Sequence, residues 1–289
     1  PSTFTTRGAA FQNATQSVVG VGVTGLVGDE WRWRKMALLK CFHKSKLLAD
    51  ERGLLEKVIE EGEGLCNALS KASETKEPVE VDLLTTQAAV GVVLYFLFGR
   101  DLEFDAAEFR QSAGDLMEVL GYSFAAPFFR ITKKIPGTTS YQMEQKKVKA
   151  WHVVDEVAAP EIQRLLDEYS GKLPVHPDRK PGSVLATLIS DEPRFRTGGV
   201  DSMIAEARVF VQAGFETTAH SLAFSMGMMA ERPDLADAMA KLGKDLLGSP
   251  GTSISVPQMK DAIEKTSVVK NFFRSEEHTS ELQSRQYLV

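Results

Sequence analysis

The chain has 289 residues, 43% of them hydrophobic and 25% charged, a balance that is ordinary for a soluble globular protein. Its net charge of -5 argues against nucleic acid as the main partner, because phosphate binding normally requires a basic surface. Cys41 and Cys66 are too few for a disulfide scaffold and suit a reducing compartment.

The chain opens on Pro1 rather than on an initiator methionine. We therefore expect the natural N-terminus to be missing, and with it any signal or membrane anchor. The longest apolar run, residues 88–98, is shorter than the roughly 20 residues that a membrane-spanning helix needs.

Helical periodicity dominates the chain, and strand signals are almost absent, so the predicted fold is all-α, that is, mainly helical. Asp201 is predicted to cap the long helix at residues 202–230, with the acidic Glu206 near its N-terminal end. Loops are predicted at residues 134–140, 171–182 and 191–199. The predicted helices span residues 31–42, 46–69, 81–98, 105–120, 141–169, 183–189, 202–230 and 235–247.

A glycine pattern of the GxGxxG type covers residues 20–25. A dinucleotide cradle would need a strand before this pattern and a helix directly after it. Gly28 and Asp29 interrupt any such helix, and no alternation of strands and helices surrounds the pattern. We therefore interpret it as a flexible loop.

Cations and indoles alternate from Trp31 to Lys35 at the start of a predicted helix. Trp31 and Lys35 are four residues apart and so share a helix face. Such a face can bind a carboxylate or a phosphate, although composition alone favours a solvated basic face over an anion site.

Residues 213–218 are the most distinctive feature, because they place polar groups inside an apolar helix. Gly214 costs about 1 kcal/mol in a helix interior, and nothing in a core helix requires it there. Thr217 can bond to the carbonyl one turn earlier, and Glu216 beside it would form an acid–alcohol pair suited to proton relay. The alternative is a helix whose polar residues simply face solvent.

These segments resemble the cytochrome P450 family. Residues 209–220 are similar to its oxygen-binding I helix, written [AG]Gx[DE]T[TS], and residues 229–235 to the following junction. Residues 28–35 resemble its helix C, written WxxxR, and residues 96–101 resemble the end of another helix. The resemblance implies the central helices of the P450 fold, truncated at both ends.

The resemblance also implies roles at two sites. Trp31 and Lys35 would face the haem propionates, although the family usually has Arg where Lys35 stands, and Arg34 could assist. Ala213 and Gly214 would line the distal face of the haem.

On the same helix Thr217 would contact bound oxygen and Glu216 would help to deliver protons. Electrons would come from NADPH through a reductase, or from a ferredoxin. The substrate would be a small apolar molecule.

The C-terminal part departs from the family pattern. Asn271 stands where the glutamate of ExxR belongs, and neither cysteine lies in a Phe-x-x-Gly-x-x-x-Cys-x-Gly haem loop. We expect residues 1–274 to be a partial P450 domain. Residues 275–289 look like a translated sequencing adapter and are expected to form a non-native disordered tail. Without the haem-ligating thiolate, the chain is expected to be inactive as a monooxygenase and to hold no metal of its own.

Two other readings of the sequence stay open at this stage. One is a non-catalytic helical protein that binds a hydrophobe, and the other is a helical interaction domain. A haem-cysteine loop downstream of residue 274 would distinguish the enzyme from both. For the parent enzyme the resemblance implies the endoplasmic reticulum membrane or an organelle, with membrane attachment through the missing N-terminal anchor.

Overall fold

The structure, a computed structural model of the chain, describes residues 14–18, 20, 22–42, 53–126, 128–249 and 251–265. Within these ranges every regular element is a helix and no strand occurs, which confirms the predicted all-α fold. After a helical stretch at residues 14–18, the helices are, in order, α1 (Gly28–Leu39), α2 (Leu54–Thr75), α3 (Val81–Phe98), α4 (Ala106–Ala125), α5 (Phe129–Thr132), α6 (Thr139–Tyr169), α7 (Val184–Asp191), α8 (Pro193–Glu231), α9 (Pro233–Leu247) and α10 (Val256–Lys265).

The described residues fall into two compact units. Residues up to His220 form one unit, and residues from Ser221 onward form the other. The second unit contains the end of α8 together with α9 and α10, which pack against each other. Every residue predicted to serve the site lies in the first unit.

Helix α3 has the boundaries predicted from the sequence. It ends at Gly99, whose φ of 75° is left-handed, and a Cβ there would lie 2.7 Å from the carbonyl oxygen of Lys180. Both facts require glycine. By length and composition alone α3 could cross a membrane, but 56% of it is buried inside the protein. That burial is what the core helix of a folded unit shows.

The core of the first unit lies where α3, α4, α6, α7 and α8 meet. Helix α4 packs along α6, while α3 contacts α2, α4 and α7. Full burial of one large apolar side chain stabilises a fold by about 1.5–3 kcal/mol. The largest fully buried side chains all belong to these five helices: Leu94, Leu97, Phe98, Phe109, Leu116, Ile162, Leu185, Leu188, Ile189, Phe195, Met203 and Phe215.

The start of α8 differs from the prediction. Residues 191–199 were predicted as a loop, yet α8 begins at Pro193. Gly199, with φ 59° and ψ −153°, breaks the helical geometry there instead. Asp201 lies within the helix beyond that break, so its prediction as the N-cap is wrong. Glycine reaches this backbone conformation without a Cβ clash, and the break lies within three residues of the predicted helix start at residue 202.

The loop at residues 171–182 is a loop, as predicted, and buried charges hold it to the helices. The guanidinium of Arg179 donates to Glu168 at 2.9 Å, to Glu161 at 3.2 Å and to the carbonyl of Phe98 at 2.6 Å. The side chains of Arg179 and Glu168 are each only 4% exposed. Because Glu161 and Glu168 belong to α6 and Phe98 to α3, the loop is fixed to both helices.

Candidate functional site

One stripe of α8 carries most of the predicted site. Glu206, Val209, Ala213, Thr217 and His220 follow one another at intervals of three or four residues, so they share a helix face. Glu206 and Val209 are buried, whereas Ala213, Thr217 and His220 are exposed. The buried part of this helix face therefore ends between Val209 and Ala213.

The threonines bond back along the helix, as the sequence predicted. The Oγ1 of Thr217 donates to the carbonyl of Ala213 at 2.8 Å, and the Oγ1 of Thr218 donates to the carbonyl of Gly214 at 2.8 Å. Each hydroxyl then keeps acceptor capacity for another group. The exposed Oγ1 of Thr217 is thus fixed beside the small side chain of Ala213.

Glu216 is partly buried next to this alcohol. Gln212 donates a hydrogen bond to its carboxylate at 2.5 Å. Burial raises the pKa of Glu216, against the lowering effect of the Gln212 hydrogen bond and of His220. The carboxyl is therefore shifted toward the range in which it can both hold and release a proton.

His220 lies one turn beyond Glu216. Its Nδ1 is 2.8 Å from the backbone carbonyl of Glu216, so Nδ1 is the protonated nitrogen in that contact. Its Nε2 is 3.7 Å from a carboxylate oxygen of Asp82 on α3. The imidazole thus joins the exposed end of the stripe to the start of α3.

Gly214 has a packing role that the sequence did not indicate. A Cβ built there would lie 2.7 Å from Cγ2 of Val93, well inside van der Waals contact. The close approach of α8 to α3 therefore requires glycine, and the premise that nothing in a core helix asks for it is wrong. Its predicted role on the distal face of a haem stays a prediction.

Helix α1 presents Trp31 and Lys35 together. The Nζ of Lys35 lies 4.5 Å from the centre of the Trp31 ring, a cation–π contact. Lys35 is exposed and Trp31 is partly exposed. The pair thus forms a cationic edge on α1 that an anionic group can reach.

Arg34 is not available to assist that pair. Its guanidinium donates to Glu206 at 2.8 Å, and the two side chains are 12% and 0% exposed. It also lies 4.9 Å from the ring centre of Trp33 and 5.3 Å from that of Phe195. The expectation that Arg34 supports Lys35 is wrong, because the guanidinium of Arg34 is already bound to Glu206 in a buried ion pair.

The glycine pattern at residues 20–25 is a turn packed on α8 rather than a nucleotide cradle; Val21 lies outside the described residues. A Cβ on Gly22 would lie 2.8 Å from the carbonyl oxygen of Ala205 and 2.9 Å from Cγ2 of Val209. The backbone N–H of Val23 donates to Glu206 at 3.0 Å. Glycine therefore serves close approach between the turn and α8.

The structure brings the predicted residues together as two pairs, Trp31 with Lys35 and Ala213 with Thr217. Among the described residues no hydrogen bond or ion pair joins the pairs directly. The link between their helices was not predicted, because in the sequence Glu206 is only a charged residue near the start of a predicted helix. A carboxylate among apolar neighbours was the signal that could have indicated it.

Cys41 is buried just after α1, and Cys66 is exposed on α2. Asn271, Arg274 and the predicted tail at residues 275–289 lie outside the described residues.

Comparison with known proteins gives three likenesses. The family model described as cytochrome P450 matches residues 2–261. Cytochrome P450 6a9 of Drosophila melanogaster is 29% identical over 75 residues, which are 26% of this chain and 15% of that protein. A crystal structure of a cytochrome P450 (CYP102L1) matches with a TM-score of 0.59 at 16% identity, over 89% of this chain and 56% of that one. At such identity the likeness to the solved structure shows the fold alone, and the chain spans only part of both proteins.

Proposed function

Since the chain belongs to the cytochrome P450 family, we propose that it is part of a haem-dependent monooxygenase that inserts one atom of O2 into an apolar organic substrate. One observation carries the proposal: α8 presents an exposed alcohol, Thr217, beside a small residue, Ala213, and a carboxyl of raised pKa, Glu216. An acid next to an alcohol on an open face is suited to passing protons to a reacting group.

The described residues fit a haem in the chemistry that they offer. Trp31 and Lys35 supply an indole N–H and an ammonium that could hold the propionates. Ala213 and Thr217 leave their part of α8 open to a planar group. When bound, the haem would supply the activation of dioxygen.

The chain's own residues would manage the proton supply. The Thr217 hydroxyl is held in place by its bond to the Ala213 carbonyl and can accept a second hydrogen bond. The Glu216 carboxyl can hold a proton closer to neutral pH than an ordinary glutamate, because burial raises its pKa. We infer that protons pass from Glu216 to the position of the Thr217 hydroxyl.

The test uses the intact parent enzyme. In Thr217→Ala, product formed per O2 consumed should fall by at least about tenfold, since positioned proton transfer contributes about 10²–10⁴ in rate. Thr218→Ala is the matched control, because Thr218 makes the equivalent bond to Gly214 one residue along. Equal effects of the two changes, or full coupling in Thr217→Ala, would contradict the relay.

The 289-residue chain itself is proposed to have no monooxygenase activity. A haem-thiolate enzyme needs an axial cysteine, and neither Cys41 nor Cys66 lies in the haem-loop pattern of the family. Haemin added to the purified chain, then reduced and exposed to carbon monoxide, should lack a thiolate-type Soret band. A thiolate-type band with substrate turnover would refute this, and Cys41→Ser and Cys66→Ser would identify its source. Sequencing the transcript beyond the codon for residue 274 is an independent test, because it shows whether the parent enzyme has the haem-cysteine loop that this chain lacks.

Partners follow from the family. We infer a small apolar substrate and an electron donor, either a reductase fed by NADPH or a ferredoxin. The endoplasmic reticulum membrane or an organelle is the proposed location of the parent enzyme. Fractionation of cells expressing the tagged parent enzyme tests that location, and recovery in the cytosol alone would contradict it.

A further inference from the structure

Glu206 is a buried carboxylate that the proposed proton relay does not use. It lies on α8 and is 0% exposed. Its Oε2 accepts the backbone N–H of Val23 at 3.0 Å, and its Oε1 accepts Arg34 at 2.8 Å. One side chain thus joins three segments: the turn at residues 22–25, α1 and α8.

Such a junction is costly to break. Arg34 is nearly buried and packs against the adjoining rings of Trp33 and Phe195, so its guanidinium has little access to water. Removing one partner of a buried ion pair leaves the other charged group without compensation, and this is strongly destabilising. Glu206 and Arg34 are 172 residues apart in sequence, so the pair fixes two segments that local structure cannot align.

The junction lies on the same α8 stripe as the predicted site. Ala213 follows Glu206 by seven residues and Thr217 by eleven, which is about two and three helical turns. On α1, Arg34 is adjacent to Lys35 and three residues from Trp31. The Glu206–Arg34 pair is therefore where the helix of one predicted pair is joined to the helix of the other.

A second contact keeps α1 from rotating about this point. The ring of Phe42, just after α1, stacks on Phe210 of α8 with centroids 5.4 Å apart. Arg34 and Phe42 are eight residues apart, while Glu206 and Phe210 are four apart. One contact from the middle of α1 and one from just beyond its C-terminal end define its position along α8.

We propose that Glu206 is the positioning residue that holds α1, and with it Trp31 and Lys35, in register with Ala213 and Thr217 on α8. The inference rests on the proposed function for its consequence, which is that this register sets the affinity for haem. Glu206 itself would not contact the haem, since its carboxylate is enclosed by Val23 and Arg34.

The experiment compares full-length variants by hydrogen–deuterium exchange and by haemin titration. Glu206→Gln keeps the shape of the side chain and removes its charge. The exchange rate of the amides at residues 28–39 should rise by at least about tenfold, because the buried guanidinium of Arg34 would then lack a carboxylate partner. The affinity for haemin should fall about tenfold. Exchange in α6 should not change.

A matched control lies two residues along α8. Arg208 donates to Asp155 of α6 at 2.7 Å, so Asp155→Asn weakens an ion pair of α8 that does not involve α1. Its haemin affinity should change by less than about twofold. Equal loss of affinity in Asp155→Asn and Glu206→Gln would overturn the inference, since general destabilisation would then explain both.

Variants of the partner keep the test decisive where Glu206→Gln does not fold. Arg34→Lys retains a cation and should give a smaller effect on α1 exchange than Arg34→Met does. Where Glu206→Gln folds, it can be combined with Arg34→Met. This double variant should bind haemin at least as tightly as whichever single variant has the lower haemin affinity, because the two residues act as one unit. Additive losses, or unchanged α1 exchange, would overturn the inference.

The two proposals fail differently. If the unmodified chain takes up no haemin, the haem function of this chain fails, and the exchange of α1 alone decides whether Glu206 holds Trp31 and Lys35. If haemin binds and Glu206→Gln loosens α1 without loss of affinity, the haem function stands, and the inference that this register sets the affinity for haem is refuted.

Discussion

Replacing Gly214 with alanine tests why α8 has a glycine in its interior. Alanine is favoured over glycine in a helix by about 1 kcal/mol. Here the new Cβ would lie 2.7 Å from Cγ2 of Val93, where carbon atoms prefer about 3.5–4.0 Å. Overpacking of this kind costs about 1–3 kcal/mol. Gly214→Ala should therefore lower the free energy of unfolding by as much as about 2 kcal/mol.

Gly114→Ala provides the matched control, because Gly114 is also inside a helix and a Cβ there meets nothing within 4 Å. It should raise the free energy of unfolding by up to about 1 kcal/mol. Urea denaturation followed by circular dichroism measures both changes.

A Val93→Ala background provides a second check on the same contact. With the valine methyls removed, Gly214→Ala should become neutral or stabilising. Equal stabilisation by Gly114→Ala and Gly214→Ala in the unmodified background would refute the packing argument.

Three further outcomes are expected. Arg179→Met should lower the free energy of unfolding by as much as about 3–5 kcal/mol in urea denaturation, because it removes the buried cation that Glu161 and Glu168 share. Arg164→Met, whose side chain is 34% exposed, should cost under about 1 kcal/mol, and equal losses would contradict the argument. Burial raises the pKa of Glu161, but its bonds to two arginines prevail and lower it below the ordinary value of 4.5. The ionised Glu161 therefore stabilises the fold at a pH above 4.5, and this stabilisation is lost as the pH falls through the pKa of Glu161 in the folded protein. In Glu161→Gln, Tm should fall less steeply as the pH is lowered. A pH profile of Tm that is the same in the variant and the unmodified chain would refute this. Deletion of residues 275–289 should change the free energy of unfolding by less than about 0.5 kcal/mol, and a larger loss would mean that these residues belong to the fold.

The long helices could be predicted closely because their periodicity is strong. Helix α3 has its predicted bounds, and α6 begins at Thr139 where residue 141 was predicted. The four residues of α5 carry too few turns for a period to emerge, so α5 was missed. Helix α10 was not predicted either. The predicted loop at residues 191–199 missed the helical stretch that begins at Pro193, before the break at Gly199.

The site was predicted only where its signal is local. Polar residues within an apolar helix indicated Glu216 and Thr217, whose bonds run within one turn. The ion pair of Arg34 with Glu206 joins distant parts of the chain, and the sequence of either segment does not indicate which residue it will contact. The contact of Gly214 with Val93 was hidden for the same reason.

The two thiols differ greatly in accessibility, and this gives the protein a natural label and a natural reporter. Cys66 is exposed on α2, so a maleimide dye would attach there under native conditions. Cys41 is 0% exposed and follows α1 by two residues, so it would react only when that end of α1 opens. The slow phase of thiol labelling would therefore measure the opening of α1 in the unaltered chain, without any engineered probe.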